Sequence, residues 1–166
     1  KFYKISLYKN IIYLILIIID ISLLISDDNM SLRIIKADYL ENKIINNEQV
    51  QQLYGDVILR RNDIYLYTKK ANYYKNIREF HLEGDVMMIQ GFDTLTCNKI
   101  IHYDYNNPFL KSLGNVYFKK DDNQITCDSL YYWTELDSLS AMGDVRMVQP
   151  KEELNTSYFN YWKTNG

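Results

Sequence analysis

The sequence predicts an all-β fold, built from an internal repeat of about 30 residues that occupies residues 31–150. Three observations carry that prediction. Four glycine-containing segments line up in register. Within them apolar and polar residues alternate with period two. Proline is confined to Pro108 and Pro150, while sixteen of the 166 residues are Tyr. The middle of the chain therefore lacks the strongest strand breaker and is rich in residues that suit a half-buried sheet.

The four segments are "YGDVILRR" with Gly55, "EGDVMMIQ" with Gly84, "LGNVYFKK" with Gly114 and "MGDVRMVQ" with Gly143. The glycines are 29, 30 and 29 residues apart. One signature per unit at that period marks a stacked array. A second strand follows each signature: "IYLYTKKANYY", "DTLTCNKIIHY" and "NQITCDSLYYW". Leu66, Leu95 and Ile125 hold one matched position in it, Thr68, Cys97 and Cys127 the next, and Ala71, Ile100 and Leu130 a third. Between the strands lie the polar tips "RRND", "QGFD" and "KKDDNQ", which read as hairpin turns.

A third piece leads into each next glycine, with alternation at Phe80 and Leu82 and at Leu139 and Ala141. Each unit thus reads as two or three short strands. "IKADYLE" around Ala37, Asp38 and Leu40 reads as a partial first unit, so the array begins near Ser31. Residues 151–166 read as the start of a further repeat or a truncated C-terminal extension.

Period two assigns the faces. The apolar side carries Val57, Leu59, Leu66, Val86, Met88, Leu95, Val116, Phe118, Ile125, Val145 and Met147. The other side carries Asp56, Asp85, Asn115, Asp144 and Arg146, mixed with Ile58, Met87 and Tyr117. The expected object is a slab with one wet side and one continuous apolar stripe. The recurring glycine suits positive φ at a bulge, or close backbone approach where such a sheet bends.

Residues 1–26 read as a signal peptide or membrane anchor. Lys1, Lys4 and Lys9 precede an apolar run from Ile11 to Ile25. As a hydrophobic helix that run is about 22 Å long, short of the roughly 20 residues a bilayer core needs. A signal peptide fits it better than a full span, and both place the rest outside the cytoplasm. A buried core element is the remaining reading. The chain opens on Lys1, not Met, and reads as a piece of a longer open reading frame.

A formal charge of -2 and a pI near 5.7 argue against a nucleic-acid binder. No phosphate loop or nucleophile elbow appears, so nothing points to an enzyme, and no cofactor is expected. His81 and His102 have no spacing partner, and with two cysteines they make no zinc site. Arg60, Arg61, Lys69, Lys70, Lys119 and Lys120 cluster near turns. Solvated turns explain them better than contacts to anionic head groups do. Cys97 and Cys127 lie one repeat apart at matched positions. A disulfide between them is one reading; two small buried hydrophobes is the favoured one.

The repeated "GDV", the alternating strand, the polar tip and "TCDSLYY" resemble the OstA-like family, whose members include the periplasmic lipopolysaccharide-transport protein LptA and the N-terminal domain of LptD. The likeness covers residues 31–150. It rests on Gly55, Gly84, Gly114 and Gly143, each followed two residues on by Val57, Val86, Val116 or Val145, and on "ADYL" at Ala37 and "CDSL" at Cys127. The resemblance implies an open β-jellyroll, the β-taco, made of two antiparallel sheet faces in a V. It also implies a periplasmic protein that binds lipid A acyl chains of lipopolysaccharide in an apolar groove. Such proteins pair end to end with other transport components or with copies of themselves. Two alternatives remain: a structural or adhesive β-solenoid with a dry core, and a membrane-anchored accessory protein like the family's inner-membrane member LptC.

Overall fold

The computed structural model describes residues 32–103, 109–133 and 138–162. The strands are β1 (Arg33–Lys36), β2 (Tyr39–Ile45), β3 (Glu48–Arg61), β4 (Ile64–Tyr74), β5 (Glu79–Gln90), β6 (Asp93–Tyr103), β7 (Phe109–Lys120), β8 (Asn123–Trp133), β9 (Ser138–Gln149) and β10 (Glu152–Trp162). They form one antiparallel sheet in which β3 to β10 are neighbours in chain order. At the N-terminal edge β1 pairs with the second half of β3 and β2 with its first half, so the two act as one interrupted strand. The sheet is open, because β10 does not pair back onto β1 or β2. The segment after residue 150 supplies β10, the last strand of this same sheet. The run Ile11–Ile25, with its expected helix, lies outside the described residues. Among the described residues no helix is long and apolar enough to cross a membrane.

The predicted tips are two-residue turns. Asn62, Gly91 and Asp121 open them with φ of 55°, 58° and 49°. These are residue types that tolerate the left-handed region. The strands are longer than the sequence pieces. The piece leading into each glycine and the signature after it are one strand, bent at the glycine.

The bend is a β-bulge repeated in register. Glu83 pairs with Lys99 and Val86 with Cys97, leaving Gly84 and Asp85 opposite Asn98 alone. The same two-against-one arrangement sets Gly55 and Asp56 against Lys69, Gly114 and Asn115 against Asp128, and Gly143 and Asp144 against Ser157. An extra residue bends the strand and raises its twist. Gly143 has φ of 75° and Asp144 a φ of 42°. A Cβ on Gly143 would lie 2.1 Å from Asp128 Oδ2, so both the backbone and the neighbouring strand demand glycine there. Gly55 meets Asp38 at the same distance. The polar residue after Ala37 or Cys127 therefore lies across the next strand's glycine.

The facing strands contribute a second device at the corner. Thr68 Oγ1 lies 2.8 Å from the Glu83 carbonyl of the next strand and 3.1 Å from that of Lys70, Cys97 Sγ donates to the Lys99 carbonyl at 3.4 Å, and Thr156 Oγ1 to that of Tyr158 at 3.1 Å. Cys127 is hydrogen-bonded to the Ser129 backbone. The matched Thr and Cys positions are thus side chains that bridge the bend.

Bending every strand at one line divides the sheet into two leaves. The valine leaf holds Val57, Val86, Val116 and Val145 and ends at the two-residue turns. The tyrosine leaf holds Tyr73, Tyr132 and Tyr161. The inner faces of the two leaves join in one apolar cluster. The expected slab with one stripe is therefore a folded slab with two stripes packed on each other. Non-directional burial of apolar area drives that closure.

Candidate functional site

The interior between the leaves is the candidate site. All eleven stripe residues from the sequence line the inner face of the valine leaf. Val57, Leu59, Val86, Val116, Ile125 and Val145 are each 1% exposed. Met88, Leu95, Phe118 and Met147 are buried too, and Leu66 is partly buried against them. Cross-strand pairs such as Leu59 with Leu66, Met88 with Leu95 and Phe118 with Ile125 set them side by side in a row across the sheet.

The facing wall was not assigned by the period-two rule. Its inner rows include Leu82, Ile100, Leu110, Leu130, Tyr132, Leu139 and Ala141, all buried. Tyr132 is fully buried. Cys97 and Ile100 are an odd number of residues apart, so strict alternation puts them on opposite faces. The bulge between Thr96 and Lys99 restores them to the same one. The signals for this wall were the matched positions Ala71, Ile100 and Leu130 and the alternation at Phe80, Leu82, Leu139 and Ala141.

Polar groups punctuate the interior. Ser112 is fully buried, with its hydroxyl against the Cys97 thiol. His102 lies in register between Phe80 and Leu110 on the tyrosine leaf. It is 7% exposed, and its buried Nε2 lacks a partner. Burial, with the positive charge of Arg61 on the valine leaf as the second cause, brings its pKa from 6.5 down to about 4. The imidazole is therefore neutral at neutral pH. Arg61, expected at a solvated turn, is instead buried.

Cys97 and Cys127 are both buried and free. β7 runs between their strands, a separation of about 9.6 Å from two strand spacings. Disulfide geometry needs Cα atoms within about 7 Å, so the alternative of a cross-strand bridge is not realised in this sheet. Burial pushes the Cys97 thiol up to about 11 and the Cys127 thiol up to about 12, which keeps both protonated.

The outside of the corner is polar. Asp56 sits between Lys36 at 3.3 Å and Lys69 at 3.4 Å, and both ammonium groups hold its carboxyl below the usual range. Glu83 lies between Lys99 at 2.6 Å and Lys70 at 3.7 Å, and its pKa is lowered chiefly by the hydrogen bond from Lys99. On the outer face of the tyrosine leaf, Tyr103, Phe109, Trp133 and Trp162 form a ladder with centroids 4.2, 6.4 and 6.3 Å apart. Ser138 sits fully buried in the row between the two tryptophans. The rings stack on each other, so the ladder braces the leaf.

The chemistry this arrangement offers is apolar enclosure. Two aliphatic and aromatic walls face each other, and the row of inner residues runs to both sheet edges. At the edges it is less covered: Ile34 and Leu40 are 45% and 52% exposed, and Leu154, Phe159 and Tyr161 are only partly buried.

Comparison with known proteins agrees with this geometry. The family model described as OstA-like protein matches residues 29–111 and 99–162. No curated protein sequence matches the chain. Among solved structures, the chain is similar to LptH of Pseudomonas aeruginosa, described as the LptA-homologous periplasmic component of the lipopolysaccharide transport device. The TM-score is 0.60 at 17% identity, over 75% of this chain and 99% of that one. That likeness is one of fold. With two overlapping family matches spanning the whole described sheet, the chain belongs to the OstA-like family.

Proposed function

We propose that this protein binds lipopolysaccharide in the periplasm and passes it toward the outer membrane, with the acyl chains held between the two leaves. The observation that carries the reading is the continuous apolar interior that reaches both open edges of the sheet. Removing a methylene from water is worth about 0.8 kcal/mol, so a slot lined by Val57, Met88, Val116 and Phe118 rewards long saturated chains. Among the described residues, the outer backbone of β10 and of β1 with β2 has no partner strand, so it offers hydrogen bonds to further strands, which suits end-to-end pairing with other transport components or with another copy.

Site-specific photocrosslinking in the cell envelope tests this. A crosslinker at Val116, which is buried inside, is expected to capture lipopolysaccharide. One at Tyr117, which faces out, is not. Capture at neither position by folded protein would overturn the transport reading.

One observation favours a second reading, a structural β-solenoid with a dry core. The inner side chains already fill the space between the leaves, with Val57, Val116 and Leu130 each at 1% exposure. Under the transport reading the leaves part to admit a chain. Under the second reading they stay shut, and no lipid copurifies.

A further inference from the structure

A strand with one buried face usually carries polar residues on the other. The outer face of the valine leaf keeps that rule in one half and breaks it in the other. Strand register sets Arg33, Arg60, Tyr65, Ile89, Thr94 and Lys119 in the outer row nearest the tips. Lys36, Ile58, Tyr67, Met87, Thr96 and Tyr117 form the row behind it. On β8 to β10 the same two rows read Gln124, Val148 and Glu153, and Thr126, Arg146 and Asn155. The hairpin tips differ too. Three of them carry Asn62-Asp63, Asp121-Asp122 and Pro150-Lys151, but the β5–β6 tip is Gly91-Phe92, and Phe92 is 95% exposed. A half-buried patch of Ile58, Tyr65, Tyr67, Met87, Ile89 and Tyr117 thus ends in a phenyl ring that stands in solvent.

We propose that this half of the valine leaf's outer face, with Phe92 at its tip, docks on the surface of an anionic phospholipid bilayer. Charge selects that partner. Every charged residue in the two rows from β1 to β8 is a cation: Arg33, Lys36, Arg60 and Lys119. On β9 and β10, Arg146 and Glu153 instead pair with each other at 2.9 Å. The sequence reads Arg60 and Lys119 as turn residues, and the register sets them on this face. Arg60 lies over the Tyr65 ring at 5.1 Å, and Tyr65 stacks on Tyr67 at 6.5 Å. Cations beside tyrosines, with an apolar ring projecting past them, suit the boundary between lipid head groups and acyl chains. Lys36 is shared with Asp56. Asp63, Asp121 and Asp122 sit on the flanking tips, outside these rows, so the attraction belongs to the face. Size argues against a second copy of the chain. Five strands and two outward rows give roughly 330 Å² at the usual spacing and rise, against about 800 Å² per partner in a stable interface. Two such faces would also bring like charges together. The path of the chain agrees. β1 enters the sheet at Arg33, in the row nearest the tips, and the apolar run that ends at Ile25 lies a few residues upstream. A bilayer that holds that run meets this side of the sheet first.

The inference is independent of what the slot holds, and tryptophan fluorescence of the full chain tests it. Phe92→Trp replaces an exposed ring with another, so the fold is not at stake. The protein is mixed with vesicles of equal parts phosphatidylcholine and phosphatidylglycerol whose acyl chains carry bromine, which quenches tryptophan on contact. The tryptophan introduced by Phe92→Trp is expected to shift its emission to shorter wavelength and to be quenched. Trp133 and Trp162 of the parent lie on the outer face of the tyrosine leaf and are expected to keep their emission. Adding Arg60→Gln and Lys119→Gln, both at exposed positions, is expected to remove most of the quenching. Equal quenching on vesicles of phosphatidylcholine alone overturns the selection by charge. Quenching of Trp133 and Trp162 without quenching at position 92 overturns the proposal in favour of the tyrosine leaf. Vesicle-bound protein with no quenching at any of the three positions assigns membrane binding to the N-terminal run and overturns the face. A blue shift that grows with protein concentration and needs no vesicles overturns it in favour of a second copy. Absence of both vesicle binding and shift overturns it outright.

Discussion

The two leaves are made by the same strands and meet in the same core, yet they differ in how they are built. Apart from Phe118, the large inner residues of the valine leaf are aliphatic and mostly branched: Val57, Leu59, Val86, Leu95, Val116, Ile125 and Val145. The inner face of the tyrosine leaf is larger and more polar, with Phe80, Tyr132 and Tyr161 beside His102 and Ser112. Between them lies one line of bulges that changes the phase of alternation in half of the strands. The difference teaches that a bent strand carries two independent registers, one on each side of its corner.

The sharpest way to break the comparison is to cut one large side chain from each leaf. Tyr132→Ala and Phe118→Ala are each expected to cost about 3–5 kcal/mol in denaturant unfolding, because both are essentially inaccessible. A loss under about 1 kcal/mol at Tyr132 would mean the tyrosine leaf does not share the core.

The titratable group buried in the tyrosine leaf gives the next effect. In the unfolded chain His102 takes up a proton near pH 6.5; in the fold it does so only near pH 4. The unfolded state therefore binds more protons between those values, and stability falls as pH drops through that window. The loss is at most about 3 kcal/mol by pH 4. His102→Leu is expected to flatten that part of the stability profile, read from urea midpoints at pH 7, 5.5 and 4.

The corner between the leaves comes third. Gly143→Ala meets both a positive φ and Asp128, and is expected to cost about 2 kcal/mol. Gly91→Asn at a hairpin tip, where an added Cβ meets nothing within 4 Å, is expected to stay within about 0.5 kcal/mol of the parent. Similar melting temperatures for the two variants would remove the special status of the bend.

The smallest effect concerns the side chains that bridge it. Cys97→Thr keeps a donor for the Lys99 carbonyl and is expected to be near neutral, whereas Cys97→Val loses about 1 kcal/mol for that hydrogen bond. Equal thermal stability of the two would assign Cys97 to packing alone.

Much of this was legible in the residues. The period of the glycines gave the array, and the tips at Asn62, Gly91 and Asp121 gave the hairpins. Parity gave the eleven stripe positions of the valine leaf, and missed Arg61 and Ile64 at its rim. What escaped was set by the bulge. Counting by twos from Cys97 reaches Lys99 and misses Ile100, and counting from Cys127 reaches Ser129 and misses Leu130. A bulge adds a residue without adding a signature beyond Gly-Asp itself. Nor does the sequence distinguish Arg60 from Arg61, or Lys119 from Lys120. Each pair reads as a basic turn, while the pleat sends one member inward and the other out.

From β4 to β10 each strand pairs only with its neighbours in chain order. Each repeat adds two strands of about 4.8 Å spacing, so one more or one fewer repeat changes the length of the interior by about 10 Å and leaves its cross-section as it was. Reach in such a protein is an integer. It can be lengthened or shortened by duplicating or deleting about thirty residues, with every corner and tip carried along intact.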